Sequence, residues 1–230
     1  AAMKNIIFLQ GALGHSSQFD ALSQSLSGDY KIYSQVFKDH GIDNASEEDL
    51  NISRLVSELD EFIETNNIEN AHVFGYSMGG YVALCHSLKW KNKIAKIATL
   101  ATKFEWSPEI ALKETSFLNA DIIEAKIPHY ADQLKKMHGQ KDWKTLLSKT
   151  SNLMTDIGAY DYLSTTNLKA IEIPILLMLG DSDKMVTLKE TSAIYDSIAK
   201  SYLAVLPNTK HPLETANNEL LSLLLRQFFQ

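Results

Sequence analysis

The sequence predicts an α/β fold, with a mostly parallel sheet of about six strands and helices on both faces. Short apolar runs alternate with segments of helical period along most of the chain. The strand-like runs are apolar at nearly every position, which is typical of sheets covered on both sides. The alternation pauses between residues 103 and 165, where only helical patterns occur. We therefore expect one core, formed by 1–102 and 166–230, with 103–165 inserted as a helical cap or lid.

Four strands and three helices are predicted in the first part of the chain. The strands occupy residues 5–10, 31–37, 71–75 and 93–101. The helices occupy residues 16–26, 46–67 and 78–90. The second helix is the clearest, because apolar residues from Ile52 to Ile63 recur at helical spacing. Ser46 and Asp49 resemble a capping box, so we expect the helix to begin there.

The insertion and the last part of the chain are assigned from the same patterns. Within the insertion, helices are predicted at 107–118, 129–139 and 141–154, separated by Pro and Gly. The alternation then resumes, with strands at 173–180 and 201–207 and helices at 187–200 and 217–229. Thr187 and Glu190 form a second candidate capping box.

The composition excludes several classes of function. The 230 residues carry a net charge of −6, whereas nucleic-acid binding needs clustered Lys and Arg. No apolar run is long enough to span a bilayer, so we expect no membrane partner. The N-terminal residues do not resemble a signal peptide and the single cysteine, Cys85, suits a reducing compartment, so we expect a cytoplasmic location. Dinucleotide and zinc motifs do not occur, and we predict no cofactor and no metal.

The segment GYSMG at residues 75–79 places one serine between a predicted strand and a predicted helix. In that context, Gly-x-Ser-x-Gly is typical of a nucleophile on a tight strand-to-helix turn. Such a turn forces an uncommon backbone conformation on Ser77 and leaves no room for bulky neighbours. A glycine-rich turn that only lets a helix pack close to its strand is the purely structural alternative.

A serine nucleophile needs a base that is held by a third group. Of the seven histidines, only His211 follows both Ser77 and an acidic loop. That loop comes after the strand at 173–180 and offers Asp181 or Asp183. Because ligands bind beyond the carboxyl ends of parallel strands, we expect Ser77, one aspartate and His211 to meet at one edge of the sheet.

The turn after the first strand reads LQGALG and can supply a donor for a developing oxyanion. A free backbone N–H is available there from Ala12 or Leu13. The N–H of Met78, at the start of the helix after the serine, is the second candidate donor.

These motifs resemble those of the α/β-hydrolase superfamily, in particular its small serine esterases, and the resemblance covers essentially the whole chain. The superfamily uses the order Ser…Asp…His. Its acid commonly stands three places after a glycine, which favours Asp183 over Asp181. Its histidine is often followed three residues later by Glu, as His211 is by Glu214. Its first loop usually reads His-Gly-x-x-Gly, and this match implies that Ala12 is the first oxyanion donor.

One position departs from the usual pattern of the superfamily, and another distinguishes the chain from one group of its members. Gln10 replaces the usual histidine before the first glycine of the oxyanion loop, and we expect little effect on catalysis. Pro212 follows His211 where related hydroxynitrile lyases have a lysine, which argues against cyanohydrin cleavage.

The resemblance implies a cofactor-free hydrolase that cleaves a small carboxylic ester through a Ser77–His211–Asp183 triad and an acyl-enzyme. Its expected partner is a small acyl substrate, and a homodimer is left open. Apolar residues on segments that should face the site are expected to line the substrate pocket. They are Leu13, Tyr76, Trp106, Trp143, Met154 and Met185.

Two other functions are compatible with the same scaffold and triad. Carbon–carbon hydrolases and a menaquinone-pathway lyase act on acidic substrates, for which Lys103, Lys184 or Lys210 could supply positive charge. Other relatives are ligand receptors with vestigial hydrolase activity, in which lid movement recruits a partner.

Overall fold

A computed structural model describes residues 2–230 and shows one sheet of six strands within them. The strands are β1 Lys4–Leu9, β2 Tyr30–Gln35, β3 Ala71–Tyr76, β4 Ile94–Leu100, β5 Ile175–Gly180 and β6 Ser201–Leu206. Their order is β2-β1-β3-β4-β5-β6, and every neighbouring pair runs parallel. The predicted fold class is confirmed, and every strand lies within two residues of its expected bounds.

Helices cover both faces of the sheet. In residues 2–230 they are α1 Asp20–Leu26, α2 Ile52–Thr65, α3 Met78–Lys89, α4 Pro108–Thr115, α5 Ala120–Lys126, α6 Pro128–His138, α7 Asp142–Ala159, α8 Thr165–Lys169, α9 Leu188–Ser197 and α10 Asn218–Phe229. Helices α1 and α10 pack in one apolar cluster, and α2 and α3 pack in the other. None of the helices in this range combines the length and the apolar composition needed to cross a membrane.

Helix α2 begins later than the sequence pattern suggests. The capping box expected at Ser46 and Asp49 is wrong, because the helix starts at Ile52 and the Asn51 side chain accepts the N–H of Arg54 at 2.9 Å. The Arg54 guanidinium binds the Asp49 carbonyl at 3.0 Å, which keeps that carbonyl out of a helical ladder. The second expected box, at the start of α9, is confirmed.

Helices α4 to α8 lie between β4 and β5, where the insertion was expected. Three of them match predicted helices, whereas α5 and α8 were missed because seven and five residues are too few to show a clear period. Helix α8 crosses the expected boundary at residue 166, and Leu168 packs into the core. That the insertion acts as a lid stays a prediction.

The first turn of α3 lies directly against the backbone of the sheet. A Cβ atom at Gly79 would overlap the carbonyl oxygen of Leu9 in β1, and one at Gly75 would overlap the backbone of Gly80. Neither obstacle can move aside, because each belongs to the backbone of a strand or a helix. The glycines around Ser77 are therefore required by the close packing of α3 on β1 and β3.

Gly79→Ala should destabilise the fold, because the added methyl group must push α3 away from β1. We expect urea denaturation to show a loss of about 1–3 kcal/mol in the free energy of unfolding. Gly28→Ala is the matched control, since a Cβ there meets nothing within 4 Å. The control should be neutral or gain about 0.4–1 kcal/mol. Equal stability of the two variants would contradict the packing.

His72, in β3, is a buried histidine away from the serine. Its ring stacks on Phe229, with centroids 4.9 Å apart and an angle of 4° between the planes. Burial, together with the nearby Lys96 and Lys4 ammonium groups, lowers the pKa of His72 to about 4. An unfolded histidine has a pKa of about 6.5, so the unfolded chain takes up this proton first as the pH falls.

The free energy of unfolding should therefore decrease as the pH is lowered from about 6.5 toward 4. His72 should contribute a slope of up to about 1.4 kcal/mol per pH unit in this window. His72→Phe should remove that part of the slope, measured by urea denaturation at several pH values. The exposed His129→Phe is the control and should keep the wild-type slope. A wild-type slope in His72→Phe would refute this role of the buried ring.

Candidate active site

Ser77 lies on the sharp turn between β3 and α3. Its backbone has φ +50° and ψ −116°, which residues with a Cβ rarely adopt. The Ser77 N–H donates to the Leu100 carbonyl at 2.8 Å, and the Thr102 hydroxyl donates to the Ser77 carbonyl at 2.8 Å. The uncommon conformation expected from the flanking glycines is present, and β4 and the residues after it hold it in place.

Asp183 orients the His211 ring. Asp183 Oδ2 lies 2.8 Å from His211 Nδ1, and the carboxylate is fully buried. The other oxygen accepts the N–H groups of Met185 and Val186 at 2.8 and 2.9 Å. Burial raises the pKa of Asp183, but the His211 ring and these donors outweigh it and hold the pKa below its usual value. An ionised carboxylate only accepts hydrogen bonds, so Nδ1 carries the proton and Nε2 is left as the basic nitrogen.

Asp181, the other aspartate considered from the sequence, has different partners. Its carboxylate accepts hydrogen bonds from the Ser182 hydroxyl at 2.9 Å and from the Thr209 N–H at 3.2 Å. It stabilises the loop after β6, whereas Asp183 contacts the imidazole.

Ser77 and His211 line the same large cavity, of about 1040 Å³. Ser77 follows β3, Asp183 follows β5 and His211 follows β6, so three strand ends bring distant residues to one edge of the sheet. Among residues 2–230, the His211 ring bonds to Asp183, and no hydrogen bond joins it to the Ser77 hydroxyl. Such bonds are often long in unliganded enzymes and tighten when substrate binds.

The loop that carries His211 is held from two sides. The Tyr76 hydroxyl donates to the His211 carbonyl at 2.8 Å, and burial raises the pKa of Tyr76, which keeps this donor neutral. The Gln18 amide donates to the Glu214 carboxylate at 2.7 Å and accepts the N–H of His15 at 3.1 Å. Tyr76 lines the large cavity and also supports the backbone of His211.

Ala12 and Met78 lie beside Ser77 in the wall of a second, small cavity. Of the two N–H groups considered for the first oxyanion donor, that of Leu13 is engaged, because it donates to His40 Nε2 at 3.2 Å. No hydrogen bond from the Ala12 N–H is found among residues 2–230. Met78 is the first residue of α3, and the first N–H groups of a helix have no partner within it. Ala12 and Met78 therefore stay the candidate donors.

The small cavity measures about 40 Å³ and contacts Ser77 but not His211. Its apolar lining comes mainly from α3, α7 and the segments after β4 and β5. The side chains are those of Tyr81, Trp106, Leu153, Met154, Ile157 and Met185. Leu153 and Ile157 were not identified from the sequence, although their spacing on α7 places them on the same face as Met154.

Lys103 is a buried cation at the small cavity, with 8% of its surface exposed. Its ammonium group donates to the Met185 carbonyl at 3.1 Å and lies 3.5 Å from the buried Glu190 carboxylate. The Trp106 indole donates to the Lys103 carbonyl at 3.0 Å. The positive charge is therefore balanced inside the protein.

Trp143 does not face the site, so the expectation that it lines the substrate pocket is wrong. It is 1% exposed and lines neither the large nor the small cavity. It packs in a cluster within the insertion, with Ile123, Ala131, Leu134 and Leu147. Trp143 stands near the start of α7, where the apolar face packs on α5 and α6, whereas Met154 lies further along the helix, beside the serine.

Comparison with known proteins shows which family this chain matches. The family model Hydrolase_4, described as serine aminopeptidase, S33, matches residues 1–216. The chain is 20% identical to Lipase 3 of Moraxella sp. (strain TA144), over 90% of the chain and 71% of that protein. It is 23% identical to the sn-1-specific diacylglycerol lipase ABHD11 of Danio rerio, over 90% of the chain and 72% of that protein. MenH from S. aureus shares the fold, with a TM-score of 0.80 and 18% identity over 99% of this chain and 94% of that one. The chain belongs to this S33 family of the α/β-hydrolase superfamily.

Proposed function

We propose that the protein is a cofactor-free serine hydrolase that cleaves small carboxylic esters. The observation that carries the proposal is the His211 ring, oriented by buried Asp183 and lining one cavity with Ser77 on its strained turn. The relatives named as lipases support ester hydrolysis at the level of the family.

In this mechanism His211 Nε2 takes the proton of the Ser77 hydroxyl as the oxygen attacks the ester carbonyl. The negative charge that develops on the carbonyl oxygen is stabilised by the N–H groups of Ala12 and Met78. Asp183 holds the imidazole in the required tautomer and stabilises the imidazolium ion. His211 then donates the proton to the leaving alcohol and activates a water molecule that hydrolyses the acyl-enzyme.

The two cavities suit different ends of the ester. The leaving oxygen must receive a proton from His211, so the alcohol belongs in the large cavity, which His211 lines. The acyl chain then enters the small cavity, which contacts Ser77 and Ala12 but not His211. One water molecule needs roughly 10–15 Å³ of such space, so about 40 Å³ fits a short acyl chain.

A rival reaction on acidic substrates, such as carbon–carbon cleavage or the menaquinone-pathway lyase reaction, receives less support. Lys103, the candidate cation at the serine, is balanced by Glu190 and bound to the Met185 carbonyl. Lys184 and Lys210 are exposed to solvent and line neither of the two cavities.

Ser77→Ala should lower the kcat for p-nitrophenyl acetate by about 10⁶-fold, because it removes the nucleophile. Ser57→Ala, an exposed position on α2, is the matched control and should keep wild-type activity. A fluorophosphonate probe followed by mass spectrometry should label wild-type protein at Ser77. Equal rates for wild type and Ser77→Ala would contradict the esterase proposal. Cleavage of aminoacyl anilides but not of esters would indicate a peptidase instead.

Acyl chain length should be limited by the small cavity. With p-nitrophenol as the common leaving group, wild type should prefer acetate to octanoate in kcat/KM. Met154→Ala enlarges the small cavity and should raise the octanoate-to-acetate ratio by about 10-fold, equivalent to burying about two methylene groups.

Met137→Ala is the matched control, because Met137 lines the large cavity. It should leave the octanoate-to-acetate ratio unchanged. A ratio that moves equally in both variants would show that the small cavity does not select the acyl chain.

A further inference from the structure

Both polar backbone groups of Leu13, directly after the candidate donor Ala12, are bound by buried imidazoles. The Leu13 N–H donates to His40 Nε2 at 3.2 Å. The Leu13 carbonyl lies 2.8 Å from Nε2 of His138, which is 125 residues away in the sequence. We call this arrangement the Leu13 clamp. His40 comes from the loop after β2 and His138 from the end of α6 in the insertion.

The partners of the two rings require opposite tautomers. His40 Nε2 accepts the Leu13 N–H, so its proton is on Nδ1, which lies 3.3 Å from the Lys38 carbonyl. His138 Nδ1 accepts the Gly41 N–H at 2.9 Å, so its proton is on Nε2 and is donated to the Leu13 carbonyl. A neutral imidazole has one donor and one acceptor, and each of these rings uses both.

The clamp is buried, and its two rings are neutral. Both histidines have no exposed surface, and their centroids lie 5.7 Å apart with an angle of 80° between the planes. Burial lowers the pKa of both, to about 3 for His40, where the neighbouring His138 adds to the effect. Neither ring lines the cavities at Ser77, so neither can contact substrate directly.

The clamped residue has an uncommon backbone conformation. Leu13 has φ +63°, in the left-handed region that a leucine rarely adopts. The Gly14 N–H donates to the Gly11 carbonyl at 3.1 Å and closes the turn around it. A strained residue persists only where its surroundings hold it, and here the surroundings are two imidazoles. The Ala12 N–H belongs to the same peptide unit as the Gly11 carbonyl, which accepts the Gly14 N–H, so holding Leu13 in this turn also restricts where the Ala12 N–H can point.

The loop that carries His40 is itself fixed by buried charges. The Asp39 carboxylate lies 2.6 Å from the Arg54 guanidinium of α2 and 2.9 Å from the Lys149 ammonium group of α7. It also accepts the N–H of Ser46 at 2.8 Å. The clamp is therefore anchored in the core and in the insertion together.

We propose that His40 and His138 are positioning residues that hold Leu13, and through it the Ala12 N–H, in the geometry required to bind the oxyanion. The proposal rests on the hydrolase function proposed above. It makes the insertion a support of the oxyanion hole, because His138 belongs to α6.

Paired amide substitutions isolate the two bonds to Leu13. A glutamine amide reaches about as far as Nε2 of histidine, and an asparagine amide only about as far as Nδ1. His40→Gln and His138→Gln can therefore keep the contact with Leu13. His40→Asn loses the contact with Leu13 and keeps the contact with the Lys38 carbonyl. His138→Asn loses the contact with Leu13 and keeps the contact with the Gly41 N–H. The four variants are compared with wild type on p-nitrophenyl acetate, with thermal melting as the test of folding.

The Asn variants should lower kcat by about 10- to 100-fold, less than the 10²–10³-fold expected for removing a donor completely. KM should change little, because the oxyanion exists only in the transition state. Their inhibition by phenylboronic acid, which forms a tetrahedral adduct on the serine, should weaken by a similar factor. The Gln variants should stay within about 3-fold of wild type in both measurements. Folded Asn variants that match the Gln variants in kcat and boronate affinity would overturn the proposal.

The wild-type protein supplies a second measurement, which decides the case even if an Asn variant does not fold. Ring-nitrogen NMR shifts at pH 7 should show the Nδ1–H tautomer for His40 and the Nε2–H tautomer for His138. Either ring in the other tautomer, or protonated, would remove the basis of the clamp. The proposed function fails separately, through absence of labelling at Ser77, and that result leaves the tautomers unaffected.

Discussion

The close contact between α3 and β1 is the constraint on which the candidate site depends. Because Gly79 has no side chain, the helix begins directly against the Leu9 carbonyl, and the chain must turn from β3 into α3 within a single residue. Ser77 takes up that turn at φ +50°, supported by the Leu100 carbonyl and the Thr102 hydroxyl. The strained backbone of Ser77 is thus held by β4 and by the segment that follows it.

Burial acts on the ionisable groups of this region in opposite ways. Asp183 keeps its charge, because two backbone N–H groups and the His211 ring compensate for the loss of water. His40 and His138 stay neutral, because each ring accepts one backbone N–H and donates to one backbone carbonyl, which together satisfy a neutral imidazole. The result is one oriented imidazole facing the cavity and two that serve as fixed hydrogen-bonding groups behind it.

The insertion contributes to the site in two distinct ways. Side chains of α7 close the small cavity beside Ser77, and His138 at the end of α6 binds the Leu13 carbonyl in the loop after β1. The salt bridge between Lys149 of α7 and Asp39 ties the same insertion to the loop after β2. The insertion therefore contacts the core at the small cavity, at the loop after β1 and at the loop after β2.

Local patterns in the sequence determined the six strands and the serine turn, because these depend on neighbours along the chain. They also determined the order of the triad candidates, because the carboxyl ends of parallel strands meet at one edge of the sheet. The tertiary structure decided what depends on distant contacts. It placed Asp183, which the family resemblance favoured, against His211, buried Trp143 inside the insertion, and moved the start of α2 to Ile52. The Leu13 clamp is the clearest case. Nothing in the local pattern around His40 or His138 distinguishes a structural imidazole from a solvated one, because the backbone groups they bind are up to 125 residues away.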